Sequence, residues 1–216
     1  MKPLIIFEIA NNHMGDLNHA KKIISKYYTL SKSYRSLMDF AVKFQFRDLN
    51  TFINHNYTFS DHKQVKRFVD TKLSKKQWNS LLSFSKKKFK LICTAFDENS
   101  VNQILKDKFD YLKIASCSMD EWPLLEHIAK KVKKKKKIIC SLGGASIDEI
   151  RKTISFFTHR SMNVSFLYCV AKYPTDPKDL NLNFFTHLKT LYKEKIKGFS
   201  SHEMPEEKLS ASLAFA

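Results

Sequence analysis

The sequence has little of what several special classes of chain require. Glycine occurs 4 times, proline 5 times and cysteine 4 times in 216 residues, which excludes collagen-like, low-complexity and disulfide-stapled chains. No stretch approaches the ~20 apolar residues of a membrane span. The apolar part of the first residues is too short for a signal peptide and soon reaches Glu8. We therefore expect one globular domain over residues 1–216, located in the cytoplasm.

The cysteines are separated too widely for a shared site. Cys93, Cys117, Cys140 and Cys169 show neither metal-ligand nor redox spacing. Each lies in or beside an apolar run, so the sequence predicts reduced thiols in the core.

Acidic residues and arginine are also scarce. There are 21 acidic against 38 basic residues, a net charge of +17, and only 5 of the basic residues are arginine. Such a charge favours nucleic acid or an anionic membrane as a partner, but surfaces that bind phosphate with defined geometry prefer the guanidinium group. The block from Lys130 to Lys137 is all lysine except Val132 and has no interleaved aromatic residues for base stacking. We interpret the excess as solvated surface and predict no nucleic-acid and no membrane partner.

Short apolar runs alternate with longer lysine-rich segments of helical period along the whole chain. The runs predict seven strands: Leu4 to Ile9, Phe40 to Phe44, Leu91 to Thr94, Tyr111 to Ala115, Ile138 to Ser141, Val164 to Cys169 and Ile196 to Ser200. Predicted helices are Leu17 to Lys32, Lys75 to Lys88, Ser100 to Lys106, Pro123 to Val132, Ile147 to Phe157 and Leu180 to Tyr192. Ser146 and Glu149 form a capping-box pattern, and Leu49 to Thr71 is predicted to be a long irregular loop.

This alternation predicts a parallel sheet covered by helices. Polar residues follow the strands at their carboxyl ends, and no glycine-rich nucleotide-binding turn occurs, which favours a barrel over a doubly wound sheet. A complete barrel needs eight strands and ~250 residues, whereas this sequence offers seven strands and then the amphipathic stretch 205–216. The expected fold is an α/β TIM barrel, (β/α)8, truncated before the eighth strand, as in a fragment or a truncated product.

Seven phrases in the sequence carry a family resemblance. They are FEIANNHMGD, VKFQ, TAFDENSV, KIAS, SLGGAS, YCVAKYPT and GFSSHE, in that order. The chain resembles the sialic acid synthase family, the nonulosonate synthases that condense phosphoenolpyruvate, over nearly its whole length. The resemblance implies a barrel enzyme, homodimeric at full length, that joins phosphoenolpyruvate to an open-chain N-acylated amino sugar. The product would be a nine-carbon 2-keto acid with release of phosphate, and the implied cofactor is a divalent metal, Mn or Mg.

The resemblance assigns two lysines and several hydroxyl residues to phosphoenolpyruvate. Lys43 and Lys113 lie within strand patterns, where a lysine must face a cavity or be costly to bury. For single hydroxyl residues, a helix cap or a backbone-bonded turn is the alternative. The further substrate candidates are Thr94, Phe96, Ser116, Ser141 and Ser200.

Other family positions concern the sugar and the metal. Glu8, Gln45 and Tyr173 match positions that face the sugar, and Glu8 joins the two lysines as a catalytic candidate. The alternatives are an ion pair of Glu8 with one of these lysines and a packing role for Tyr173. His202 matches one of two metal-binding histidines, and the resemblance places the second on the eighth strand.

The chain also departs from the family. Cys117 and Ser118 stand where many members have an acid, Ala171 replaces an asparagine or serine, and Ser201 replaces an aspartate. The antifreeze-like C-terminal domain of the family has no counterpart. Two alternatives therefore stay open: a phosphoenolpyruvate barrel that acts on a phosphorylated sugar, and a catalytically impaired barrel that serves as a scaffold or binds through its basic surface.

Overall fold

The computed structural model describes residues 2–54, 56 and 62–204. The chain divides into two compact units, Met1–Tyr111 and Leu112–Ala216, which are described in turn. The predicted amphipathic stretch 205–216 lies outside the described residues.

Three parallel strands form the sheet of the first unit. They are β1 (Leu4–Glu8), β2 (Asp39–Phe46) and β3 (Lys90–Ala95), neighbours in chain order. The register places Glu8 opposite Lys43 and Gln45 opposite Thr94. Side chains alternate along a strand, and Phe44 and Phe46 contact Trp78. Lys43 and Gln45 therefore lie on the other face of the sheet.

Five helices accompany these strands: α1 (Leu17–Ser31), α2 (Leu49–Phe52), α3 (Lys63–Asp70), α4 (Lys75–Lys86) and α5 (Glu98–Lys106). Side-chain caps fix where they begin, because they satisfy backbone N–H groups of the first turn. Asp16 caps α1 and Asp97 caps α5. Ser74 and Gln77 form a capping box at α4 that the sequence analysis did not identify.

The prediction of an irregular loop from Leu49 to Thr71 is wrong where α2 and α3 lie. Asp48 caps α2, because its side chain accepts a hydrogen bond from the backbone N–H of Asn50. In α3, the apolar residues are few and spaced at helical period among polar ones, so they form a narrow stripe. Phe68 in this stripe meets Phe52 of α2, with ring centroids 5.7 Å apart. The helices are stabilised by this tertiary contact, which composition does not show.

The second unit continues the same pattern. Its strands are β4 (Tyr111–Ile114), β5 (Lys137–Ser141), β6 (Val164–Cys169) and β7 (Ile196–Ser200), in the order β4-β5-β6-β7. Its helices are α6 (Trp122–Lys131), α7 (Ile147–His159) and α8 (Leu182–Tyr192). The capping box of Ser146 and Glu149 is confirmed at α7. The lysine block 130–137 connects the end of α6 to the start of β5, and most of its lysines are exposed.

All seven predicted strands are therefore present. In each unit the strand order follows the chain order, as in a barrel of βα repeats; a doubly wound sheet would reverse its order at a switch point. The α/β TIM-barrel class predicted from the sequence is confirmed. No helix in the described ranges is long and apolar enough to span a membrane.

The burial of the four cysteines agrees only partly with the prediction of core thiols. Cys93, Cys140 and Cys169 are buried in strands, as expected. Cys117 is exposed, and its prediction as a core thiol is wrong. It lies in a short 3-10 turn, Ser116–Ser118, just after β4, where the chain has already left the apolar strand.

Candidate active site

An ion pair joins the carboxyl end of β1 to the second half of β2. Lys43 donates through Nζ to Oε2 of Glu8, its register partner on the next strand. The Oε1 atom of Glu8 accepts from the backbone N–H of Ala10 at 2.8 Å. The side chains are 15% exposed for Lys43 and 38% for Glu8. The ion-pair alternative for Glu8 is thus present in the structure, at a place that solvent still reaches.

Three other predicted residues of the first unit lie near this strand end. Gln45 accepts at Oε1 from Nη2 of Arg47 at 2.6 Å, and the ring of Phe96 lies 4.0 Å from Cζ of the same arginine. Thr94 is buried, and its Oγ1 makes no hydrogen bond to any residue that the structure describes. A buried hydroxyl group that makes no hydrogen bond is uncommon and indicates a further hydrogen-bond partner. Arg47 was not singled out in the sequence, although it is one of only 5 arginines.

The turn after β1 is built by its own side chains. Asn11 donates through Nδ2 to Oγ1 of Thr71 at 2.9 Å, and Nδ1 of His13 accepts from the backbone N–H of Gly15 at 3.1 Å. Both Asn11 and His13 are buried. Burial lowers the pKa of His13, since desolvation disfavours the imidazolium. The residues of the phrase FEIANNHMGD that follow Glu8 therefore stabilise this turn through their own side chains.

Lys113 of β4 is the most unusual group of the second unit. Its side chain is inside the protein, with 4% of the residue exposed. Nζ donates to Oγ of Ser141 at 2.7 Å and to the carbonyl of Ile114 at 2.6 Å. Desolvation lowers the pKa of Lys113 to about 8. No carboxylate neutralises this ammonium among the described residues, and a buried cation of this kind is suited to an anionic ligand.

Two more predicted hydroxyl residues, Ser116 and Ser200, lie near strand ends of the second unit. Oγ of Ser116 accepts from the backbone N–H of Gly143 at 3.0 Å. A Cβ on Gly143 would lie 3.0 Å from that Oγ and 3.0 Å from the carbonyl oxygen of Cys169, so this close approach favours glycine. Ser200 is the register partner of Cys169 at the end of β7.

His202 follows β7 and lies against Tyr173. Their rings stack with centroids 3.9 Å apart, although Tyr173 is 77% exposed. Nδ1 of His202 lies 2.8 Å from the carbonyl of Val170 and therefore carries the proton in this contact. The thiol of Cys169 lies 3.9 Å from Nε2. The two predicted residues are thus brought together, with Tyr173 covering the imidazole.

These neighbours do not amount to a metal site. Mg²⁺ and Mn²⁺ favour shells of several oxygen ligands, whereas the neighbours of His202 include a tyrosine ring, a thiol and a backbone carbonyl. Across the described ranges, no group of three histidine, cysteine, aspartate or glutamate side chains could hold a metal ion. The described residues alone therefore do not fit the implied metal.

The fold and these strand ends define a class of protein. It is a βα-barrel protein in which lysines, one of them buried, and hydroxyl groups lie in or just after the carboxyl-terminal halves of parallel strands, near the strand ends where barrel enzymes bind and transform their substrates. The chain belongs to the NeuB family, which matches residues 32–215.

Relatives of known name support this membership. The chain is 29% identical over 207 residues to the N,N'-diacetyllegionaminic acid synthase of Campylobacter jejuni. The aligned region covers 93% of this chain and 61% of that protein. The N-acetylneuraminate-9-phosphate synthase of Mus musculus is 26% identical, and the aligned region covers 92% of this chain and 55% of that protein. The chain therefore spans little more than half the length of these curated relatives.

A solved structure confirms the fold at higher identity. The crystal structure of a protein described as spore coat polysaccharide biosynthesis protein E, from Chromobacterium violaceum, matches with a TM-score of 0.92 and 39% identity, over 99% of this chain and 63% of that one.

Proposed function

We propose that this chain provides the barrel part of a nonulosonate synthase, which condenses phosphoenolpyruvate with an N-acylated amino sugar and releases phosphate. In this reaction the electron pair of the C2–C3 double bond of phosphoenolpyruvate bonds C3 to the aldehyde carbon of the sugar. The oxygen of water adds at C2, and the C2 to phosphate-oxygen bond breaks to leave a C2 ketone. The two protons of that water end on the former aldehyde oxygen and on the released phosphate. The observation that carries the proposal is Lys113, a desolvated ammonium held by Ser141. Membership of the NeuB family supports phosphoenolpyruvate as the anion that it would bind.

Phosphoenolpyruvate needs fixed cations and hydroxyl donors for its carboxylate and phosphate. We assign Lys113, with Ser141 and Ser116, to one anionic group of this substrate. Lys113 has three ammonium hydrogens and uses two in the hydrogen bonds already described, so a third can be donated to the ligand. Lys43, Thr94 and Ser200 complete the set that the family resemblance assigns to the same substrate.

The sugar requires groups that orient it and handle the proton gained by its aldehyde oxygen. We assign this contact to Glu8, Gln45 and Tyr173, and Phe96 stays a candidate for an apolar contact with the substrate. The carboxylate of Glu8 is already held by Lys43 and Ala10, which fixes its position but leaves it partly solvent-exposed. His202 as a ligand to a divalent metal stays a prediction, because its described neighbours do not complete a site.

The test is release of inorganic phosphate from phosphoenolpyruvate, with and without Mn²⁺, across a panel of N-acylated amino sugars. The panel includes N-acetylmannosamine, precursors of legionaminic and pseudaminic acid, and a phosphorylated amino sugar. Two proteins are compared: the 216-residue chain and the same chain joined to the C-terminal remainder of the Chromobacterium violaceum protein, of which it matches 63%.

We expect Mn²⁺-stimulated phosphate release that depends on one acceptor, at least in the joined chain. Release without any sugar would indicate hydrolysis and not condensation. Silence of both proteins with every acceptor, while circular dichroism shows an intact fold, would contradict the proposal. That outcome would favour the impaired barrel that acts as a scaffold or through its basic surface.

A further inference from the structure

The guanidinium of Arg47 lies just beyond β2, between a proposed sugar contact and three aromatic rings. Nη2 donates to Oε1 of Gln45 at 2.6 Å. Cζ lies 4.0 Å from the ring centroid of Phe96, 4.3 Å from that of Phe68 and 5.6 Å from that of Phe52. The rings belong to three separate segments, α2, α3 and the turn after β3. Cation–π contacts thus hold the guanidinium in place.

This contact fixes which way the Gln45 amide is turned. Arginine only donates hydrogen bonds, so the atom that faces it must be the carbonyl oxygen, and the NH₂ group must point elsewhere. Nε2 of Gln45 makes no hydrogen bond to the residues that the structure describes. Gln45 and Arg47 both border a cavity of about 370 Å³. Gln45 itself lies on the face of the sheet opposite Trp78, so its amide keeps two N–H donors for a ligand on that face.

We infer that Arg47 is a positioning residue for recognition of the sugar acceptor. It holds Gln45 so that Nε2 donates to an oxygen of the sugar, either a hydroxyl or the acyl carbonyl. The inference rests on the proposed function, which assigns Gln45 to the sugar. Without Arg47 the amide can turn over and present its own oxygen, which repels an acceptor oxygen. The loss then falls on acceptor binding and spares phosphoenolpyruvate.

The chain offers a matched control in Arg35, which precedes β2. Its guanidinium also lies against three rings, with Cζ 4.8 Å from Tyr28, 5.3 Å from Phe89 and 5.8 Å from Phe40. Nη2 donates to the carbonyl of Lys88 at 2.8 Å. Arg35 therefore has a comparable structural role but no bond to a proposed substrate contact.

The experiment compares Arg47→Gln with Arg35→Gln in the phosphate-release assay. A charge-assisted hydrogen bond accounts for roughly 10- to 100-fold in binding, so Arg47→Gln should raise KM for the sugar by about that factor. KM for phosphoenolpyruvate should change by less than about twofold, and Arg35→Gln should leave both KM values close to wild type. An equal rise of both KM values in Arg47→Gln, or the same rise in Arg35→Gln, would show a merely structural role and overturn the inference.

Two variants of Gln45 sharpen the test. Gln45→Glu keeps an acceptor for Arg47 but removes the donor, so it should fold as stably as wild type while its sugar KM rises. In a Gln45→Ala background, adding Arg47→Gln should change the sugar KM by less than about twofold, because the two residues act through one contact. Independent, multiplying effects would contradict that coupling.

Calorimetric titration with the sugar separates this inference from the proposed function. Suppose that neither the 216-residue chain nor the joined chain releases phosphate, but the sugar binds. Weaker sugar binding by Arg47→Gln and not by Arg35→Gln then supports the inference, while the synthase proposal fails. If the unmodified chain binds no sugar of the panel, both fail. If it turns over normally and Arg47→Gln matches wild type in sugar KM, only the inference fails.

Discussion

A buried lysine is costly for a folded protein, because the ammonium loses most of its hydration. Lys113 recovers part of that cost through Ser141 and the carbonyl of Ile114. The recovery is incomplete, since desolvation still lowers the pKa of Lys113 to about 8. An anionic ligand would complete it, which explains why such a residue is compatible with a substrate-binding strand end.

Replacing this lysine should separate function from folding. In Lys113→Met we expect kcat/KM for phosphoenolpyruvate to fall by at least ~100-fold, since a fixed cation facing the anion is lost. The melting temperature should stay the same or rise, because a desolvated charge is removed from the core. The control is Lys197→Met, which removes an exposed lysine of β7 and should leave both quantities close to wild type. Wild-type kinetics in Lys113→Met would contradict the assignment.

The lowered pKa of Lys113 also predicts a pH dependence. Below pH 8 the lysine is charged, and above it the ligand-free protein progressively loses this proton. We expect KM for phosphoenolpyruvate to be flat between about pH 7 and pH 8, where the phosphate of the substrate is already ionised, and to rise by up to about tenfold per pH unit above that range. Lys113→Met should lack this rise, as steady-state kinetics from about pH 7 to pH 9.5 would show.

Protein stability should respond to the same titration. The folded-state pKa is depressed below the ordinary 10.5, so between about pH 8 and 10.5 the unfolded chain holds a proton that the folded chain has lost. The free energy of unfolding should therefore increase with pH in that window relative to Lys113→Met. Denaturant titrations at pH 7.5 and pH 9.5 measure the difference, and an opposite sign would mean that the lysine is not desolvated.

At the scale of elements, the turn after β1 depends on the end of α3. Gly15 has φ +74°, and a Cβ there would lie 2.8 Å from the carbonyl oxygen of Asp70. Asn11 bonds Thr71 at the same place. Helix α3, which the sequence analysis missed, thus supports the turn that carries the first family phrase.

The variant Gly15→Ala should be destabilised by about 2 kcal/mol, because left-handed backbone is costly for alanine and the backbone oxygen cannot move away readily. In Gly198→Ala the nearest atom is a side-chain methyl of Leu167, 3.0 Å away, which can shift. We expect a loss of less than ~1 kcal/mol there. Denaturant unfolding of both variants checks the difference, and equal losses would show that the contact with α3 does not matter.

The elements that sequence analysis predicted and missed differ in the source of their stability. The seven strands are apolar runs such as Val164–Cys169, where local composition and burial agree. Helices α2 and α3 have little apolar surface of their own and depend on ring contacts such as that of Phe52 with Phe68. A pattern search along the chain cannot detect a contact between residues 16 positions apart.

At the scale of the whole molecule, the net charge of +17 should attract anionic substrates over a distance set by salt. We expect KM for phosphoenolpyruvate to rise roughly three- to tenfold when the salt concentration increases from about 20 mM to about 300 mM. KM for an uncharged amino sugar should change by less than about twofold. Equal responses of the two substrates would mean that salt acts on the protein and not on anion capture.

The sequence by itself determined the barrel class, the positions of the strands and the residues at their carboxyl ends, because hydrophobic periodicity and short motifs are local properties of a chain. Tertiary structure decided how those residues are used. It paired Glu8 with Lys43, buried Lys113 against Ser141 and stacked Tyr173 on His202. It also brought Arg47 to Gln45 inside a cage of rings from α2, α3 and the turn after β3. Distances and desolvation depend on segments far apart in the chain, so only the folded protein fixes the pKa of a lysine or the orientation of an amide.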